Sequence, residues 1–300
     1  MLTSRRMRCC SILAAAVAML GLGSATFGAT ALPYTTSFES SDSFSPGSIG
    51  GQGGWSVFDT STATITTVAA HTGTQSVLIA PVVSNGDVVQ SSTPIFDPSG
   101  ETPSVGVPAP VSSYMVTDFW FRTVATSSDS GLYISTSMGN PASVRNTWLG
   151  VEEGSEAGAT PGDLYVGAYA VDAGGNFDES LSPALTWGAW YHATIAEQYV
   201  NGPDNDQVTY SIADASGNPV WSTTIGSWEN YYATDPSAEQ APGPVVSDRT
   251  SFGGSADDGG EGIYVDDFSM TNVAPVPEPT SLALLGIGGL TLVSRRRRGR

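Results

Sequence analysis

Short runs of alternating apolar and polar residues, or of clustered β-branched residues, recur along residues 32–272, separated by Gly, Pro, Asn, Asp and Ser. Apolar residues at helical spacing are missing from this stretch. The pattern predicts strands at Ala63–Ala69, Ser76–Val83, Tyr114–Thr123, Leu132–Thr136, Thr147–Val151, Asp163–Tyr169, Tyr191–Tyr199, Gln207–Ile212, Val220–Ile225 and Gly262–Asn272. That many strands with no helix between them argue for one all-β domain, a two-sheet antiparallel sandwich rather than a parallel sheet. In the 114–123 run, Tyr114, Val116, Asp118, Trp120 and Arg122 share one face and Met115, Thr117, Phe119, Phe121 and Thr123 the other. Both faces carry large apolar groups, which places this strand near the middle of a sandwich. The loops at 84–112, 152–162 and 226–260 are where binding residues are expected.

The two ends of the chain follow other patterns. Arg5, Arg6 and Arg8 precede an apolar run from Ile12 to Leu22, and Ala29-Thr30-Ala31 supplies small residues, which together read as a secretory signal peptide over residues 1–31. Residues 32–274 form the β-sandwich domain. The last segment, 275–300, holds Pro277-Glu278-Pro279, an apolar run from Leu282 to Val293, and the cluster Arg295, Arg296, Arg297 and Arg298. The prolines keep their segment extended. The apolar run makes a short transmembrane helix, and the arginines hold its far end in the cytoplasm.

Composition sharpens this division. All eleven basic residues are arginines, and only Arg122, Arg145 and Arg249 lie outside the two ends. Between Glu39 and Glu278 stand all 29 acids against those three arginines, a net charge of −26. Such a surface repels phosphate backbones, which excludes nucleic acid as a partner, and it attracts divalent cations. Cys9 and Cys10 both lie in the signal. The mature chain therefore has neither a disulfide nor a cysteine nucleophile.

The order Pro-Glu-Pro, short apolar helix, arginine cluster resembles the PEP-CTERM sorting tail. That resemblance implies Sec-type export, transient anchoring in the inner membrane, recognition by an exosortase and cleavage near Pro277-Glu278-Pro279. The body is then a cell-surface, biofilm or extracellular component. A second resemblance rests on Phe38-Glu39, Gly54-Trp55, His71-Thr72-Gly73-Thr74-Gln75-Ser76 and Val265-Asp266-Asp267-Phe268. These look like the concanavalin A-like and galactose-binding-like jelly rolls of lectins, laminin-G modules and carbohydrate-binding modules. In those folds the early Phe-Glu, the His-x-Gly-x-x-Ser turn and the late Val-Asp-Asp-Phe strand lie close together. The resemblance implies a structural calcium held by Glu39 and Asp266, with Thr72 and Gln75 nearby.

Sugar rings stack on aromatic side chains. Trp187, Trp228 and Tyr231 sit beside loop residues and are the candidate platforms, whereas Trp190 opens a strand and is expected in the core. Catalytic patterns are missing: the sequence has no G-x-S-x-G, no HExxH and no P-loop. Glu152, Glu153 and Glu156 fall in a Gly-rich segment read as a loop with no apolar frame to raise a pKa. The expectation is a non-enzymatic, exported domain that binds carbohydrate, extracellular polysaccharide among the partners, or serves as a matrix or surface component. A secreted glycoside hydrolase or lyase and a purely structural surface protein are the alternatives.

Overall fold

Along residues 114–123 the side chains of Met115, Thr117, Phe119, Phe121 and Thr123 are buried, while Asp118, Trp120 and Arg122 are only half-buried. One face of this strand therefore meets the core and the other lines an outer surface. The protein was analysed as a computed structural model, which describes residues 30–57, 63–80, 87–93, 114–139, 146–171, 177–200, 206–228, 249–253 and 259–272. In chain order the strands are β1 (Thr30–Ala31), β2 (Tyr34–Thr36), β3 (Gly47–Ser48), β4 (Trp55–Val57), β5 (Ala63–Thr66), β6 (Ser76–Ile79), β7 (Asp87–Thr93), β8 (Tyr114–Thr123) and β9 (Tyr133–Gly139). They continue with β10 (Leu149–Glu153), β11 (Leu164–Val171), β12 (Phe177–Leu181), β13 (Tyr191–Gln198), β14 (Gln207–Asp214), β15 (Pro219–Gly226), β16 (Arg249–Gly253) and β17 (Ile263–Thr271).

These strands form two sheets. A nine-stranded sheet runs β15-β14-β13-β8-β17-β6-β5-β3, with β2 also on β17. An eight-stranded sheet runs β1-β7-β16-β9-β10-β11-β12, with β4 also on β7. Within both sheets the pairing is antiparallel except between β1 and β7. The protein is thus an all-β sandwich of jelly-roll type; its strand pattern predicts the sandwich, and the resemblance implies the jelly roll.

The inner faces interdigitate. Phe119 and Phe121 from β8 meet Phe252 from β16, with the Phe119 and Phe252 rings edge to face at 5.1 Å. Trp55, Phe38 and Phe268 close the end of this core. One polar link crosses it, where the buried hydroxyls of Thr117 and Thr250 share a hydrogen bond of 2.6 Å.

Seven strands escape the hydrophobic pattern: the short β1, β2, β3 and β4 near the start of the body, and β7, β12 and β16 further on. Of these, β7 and β16 fall in segments read as loops, and β10 runs on through Glu152 and Glu153 instead of stopping at Val151. Their sequences, such as Phe177-Asp178-Glu179-Ser180-Leu181 and Arg249-Thr250-Ser251-Phe252-Gly253, have too few apolar residues to signal a strand. Backbone pairing within a large sheet holds them instead. No helix among the described residues is long and apolar enough to cross a membrane. The apolar run of the tail lies outside them.

Candidate functional site

Both ends of the body converge on one turn. Glu39 follows Phe38, whose φ of 58° turns the chain sharply at the close of the first strands. Its Oε1 accepts the backbone N–H groups of Thr74 and Gln75, both at 2.6 Å, and its Oε2 accepts the Thr74 hydroxyl at 3.0 Å. Gly73 (φ 64°) makes this approach possible, since a Cβ there would stand 2.4 Å from Glu39 Oε1. On the other side β17 bulges between Asp266 and Ser269, with Asp267 at φ 45°. The bulge aims two adjacent carboxylates at the same turn. Asp266 Oδ2 accepts the N–H groups of His71 and Thr72, and Asp267 accepts His71 Nδ1–H at 2.7 Å and the Thr72 hydroxyl at 2.6 Å.

The electrostatics of the two sides differ. Around Glu39, desolvation raises the pKa, but the N–H groups of Thr74 and Gln75 outweigh it and hold the carboxyl below its usual range. Asp266 is fully buried, and that burial pushes it up to about 6; the adjacent Asp267 carboxylate adds to the rise, against the pull of three backbone N–H groups.

The turn also positions an aromatic tier. His71 lies flat on Trp120, ring centres 3.7 Å apart and planes within 11°, and Trp190 stands edge-on to His71 at 5.6 Å. His192, opposite Trp120 on β13, stacks on the same indole at 5.1 Å. Asp118 lies two residues along β8, 3.7 Å from His192 Nε2 and 2.5 Å from the Thr194 hydroxyl that donates to it. All of this is on the outer face of the nine-stranded sheet, because directly opposite residues and alternate residues share a face. The His71 and His192 side chains keep 22% and 35% of their exposure.

Beyond Asp118 the same face opens into a groove of about 260 Å³ lined by Tyr114, Thr194, Gln198, Gln207, Thr209 and Ser211. Its lining side chains are uncharged hydroxyls and amides, with Ala196 between them. From Trp120 to Tyr114 the face runs six residues along β8, roughly 20 Å at the usual strand rise.

The residues named from sequence divide. Glu39 and Asp266 reach the same turn at different residues, Glu39 at Thr74 and Gln75 and Asp266 at His71 and Thr72. Thr72 and Gln75 reach the carboxylates through N–H and hydroxyl donors, and no group of three or more His, Asp and Glu that could hold a metal occurs among the described residues. Trp228 does not serve as an exposed platform: it is 4% exposed, packs on Trp148 and Phe177, and donates Nε1–H to the Tyr169 carbonyl. Trp187 is half-buried, and its Nε1–H is given to the Gly162 carbonyl at 3.0 Å. Tyr231 lies outside the described residues, as do Pro277, Glu278, Pro279 and Arg295–Arg298. Trp190, expected in the core, is half-buried within the tier.

The sequence reading missed a second polar cluster, on the outer face of the eight-stranded sheet. The Tyr169 hydroxyl lies 2.7 Å from Glu152 Oε1 and 3.0 Å from Glu179 Oε1. Gly150 and Gly167 form its floor, and a Cβ on Gly167 would stand 2.4 Å from Glu152 Oε1. Glu152 is therefore in a strand, fully buried and framed by Tyr133 and Tyr169, rather than in an open loop. Its signal was the alternation Trp148-Gly150-Glu152 against Leu149-Val151, hidden by the neighbouring glycines. Burial raises the Glu179 pKa, against the hydrogen bond from Tyr169, and raises that of Tyr169 far above the usual phenol range.

Comparison with known proteins decides the carboxyl terminus. Residues 275–298 match the PEP-CTERM protein-sorting motif. The match implies export, recognition by an exosortase and a membrane-anchored carboxyl terminus before processing. For the body, no curated protein matches. Among solved structures, peanut lectin with a 9-mer peptide is 14% identical at a TM-score of 0.43, covering 81% of this chain and 98% of that one. The CBM22-1 xylan-binding domain from Paenibacillus barcinonensis Xyn10C is 11% identical at 0.34, covering 83% and 99%. The botulinum neurotoxin serotype G binding domain is 12% identical at 0.38, covering 74% of this chain and 44% of that one. The chain thus spans less than half the length of the type G toxin domains it matches.

Proposed function

We propose that the exported PEP-CTERM protein binds extracellular polysaccharide along the outer face of the nine-stranded sheet. The observation that carries this reading is the continuity of the aromatic tier with the uncharged groove. A sugar ring presents apolar C–H faces and a rim of hydroxyls that both donate and accept. Half-exposed rings at His71, Trp120, His192 and Trp190 suit the faces. Thr, Ser, Gln and Tyr side chains suit the rim, because each offers both donors and acceptors. The groove volume falls near the lower end of small-molecule sites, about 300–1,000 Å³, and the length of the face suits a chain of several sugars. A glycan array probed with the purified exported protein tests the reading. Binding to one or more polysaccharides is expected, and silence across the array would favour a structural surface protein.

Calcium at the turn belongs to the same reading. Glu39 and Asp266 would supply carboxylate oxygens, and the net charge of −26 favours a divalent cation. Such an ion would share oxygens that already accept hydrogen bonds and would fasten the turn that carries His71.

Hydrolysis is the second reading, and the Glu152–Tyr169–Glu179 cluster is what favours it. Two carboxylate oxygens at 2.7 and 3.0 Å from one hydroxyl are at most about 5.7 Å apart. Retaining glycosidases need about 5–5.5 Å. Against it, Glu152 is fully buried and cannot reach a substrate as it stands. Reducing-sugar release that disappears in Glu179→Gln would establish this reading over the first.

A further inference from the structure

The outer face of β8 ends in a cation whose pairing the fold leaves open. Arg122 lies two residues beyond Trp120, opposite Tyr264 on β17. Continuing the β8–β13 register by one residue from Phe121 and Tyr191 places position 190, a tryptophan, opposite Arg122 on the other side. Its guanidinium Nε is buried and has no hydrogen-bond acceptor among the described residues. A buried donor of a permanent cation is costly to leave unpaired, and Arg keeps its charge at every physiological pH. This is unusual in a body with 28 acids and three arginines, where acceptors are abundant. The carboxylates on this face, Asp118, Asp266 and Asp267, bond instead to His71, Thr72, His192 and Thr194.

We infer that Arg122 is the anion-reading position of this face, so that the polysaccharide it takes carries an oxyanion, a carboxylate or a sulfate ester, on the sugar next to the aromatic tier. A planar guanidinium presents parallel N–H groups that suit both anions in bidentate fashion. Trp190 lies across from Arg122 and Trp120 two residues along the same strand, so a sugar stacked on the tier would bring its acidic substituent to the guanidinium. Long-range repulsion from the acidic body is screened beyond about 8 Å at physiological salt, whereas a contact ion pair is not. This inference rests on the carbohydrate reading above and adds the charge class of the ligand.

The test compares affinities of the purified exported protein for a neutral polysaccharide, a polyuronate and a sulfated polysaccharide at fixed ionic strength. The wild type is expected to favour at least one charged polymer by about 10-fold or more, the scale of one charge-assisted bidentate contact. Arg122→Gln should bring that polymer down towards the neutral one, and Arg122→Lys, which keeps the charge but not the fork, should fall between. Near-UV circular dichroism of both variants checks that the fold is kept. The two charged polymers separate carboxylate from sulfate. Equal wild-type affinities, or a preference that survives Arg122→Gln, overturn this inference alone. Failure to bind any polymer overturns the carbohydrate reading and this inference with it.

Discussion

The imidazole of His71 and the indole of Trp120 are stacked 3.7 Å apart although 49 positions separate them in the chain. His71 reaches Trp120 only because Asp266 and Asp267, at the far end of the body, hold its backbone and ring. The proposed binding surface and the fold closure therefore share residues. Removing the ring should separate the two roles. His71→Ala is expected to weaken polysaccharide binding by about 10-fold, the scale of one stacking contact. It should lower the melting temperature little, because the Asp266 bonds to backbone N–H groups remain. A large melting loss with unchanged binding would reverse the assignment.

The Glu39 side of the turn should act on stability. Glu39→Ala removes three hydrogen bonds to one carboxylate, and hydrogen bonds to charged groups contribute about 1.5–3 kcal/mol net. For a domain of this size a loss of about 2 kcal/mol lowers the melting temperature by roughly 4–8 °C. Differential scanning calorimetry of wild type and variant, with EDTA and with added calcium, checks this. Calcium is expected to raise the wild-type melting temperature and to leave Glu39→Ala nearly unmoved. Identical wild-type melts in both conditions would remove calcium from the account.

Stability should peak in mildly acidic solution. Asp266 is raised by burial from 3.8 to about 6, so its contribution is fully present below its unfolded pKa and is lost as pH rises through about 6. Glu39, Glu153 and Asp214 are held below their usual values, so their contributions are present at higher pH and disappear as pH falls through their folded pKa values. The two trends place the maximum between about pH 4 and pH 6. Chemical denaturation across this range checks it, and Asp266→Asn should flatten the decline above about pH 6. A stability that climbs steadily from pH 5 to pH 8 would contradict the Asp266 environment.

Gly167→Ala probes the other sheet. The new Cβ would sit 2.4 Å from Glu152 Oε1 and 3.1 Å from the Tyr169 ring, which forces the buried carboxylate to move. Overpacking of this kind costs about 1–3 kcal/mol. Denaturant titration should show that loss. Neutral behaviour would mean that Glu152 does not rest on this floor.

The sorting tail is open to direct mass measurement. In the native host the mature protein should end near Pro277-Glu278-Pro279 and lack Arg295–Arg298. An intact Arg300 terminus in the mature pool would exclude processing there.

What the sequence made legible follows from how each feature is encoded. The turn and its carboxylates were readable because Phe38-Glu39, His71 to Gln75 and Val265 to Phe268 are contiguous motifs. Their roles as acceptor and donor were not, because a backbone N–H leaves no mark in a side-chain pattern. The aromatic outer face was obscured by the apolar character of both sides of residues 114–123, which reads as core although Trp120 faces outward. Trp228 misled in the opposite sense: loop residues surround it, yet a cluster of aromatics from β11 and β12 covers it. Glu152 in β10 shares a face with Trp148 just before it, but the glycines that make room for Glu152 also disguise its strand.

The most direct test of the binding face is an NMR titration that follows the tryptophan indole N–H signals as a bound polysaccharide is added. The account predicts that Trp120 and Trp190 shift while the buried Trp55, Trp148 and Trp228 stay in place. Shifts confined to Trp148 and Trp228, with Trp120 and Trp190 unmoved, would put the binding site on the opposite sheet and contradict it.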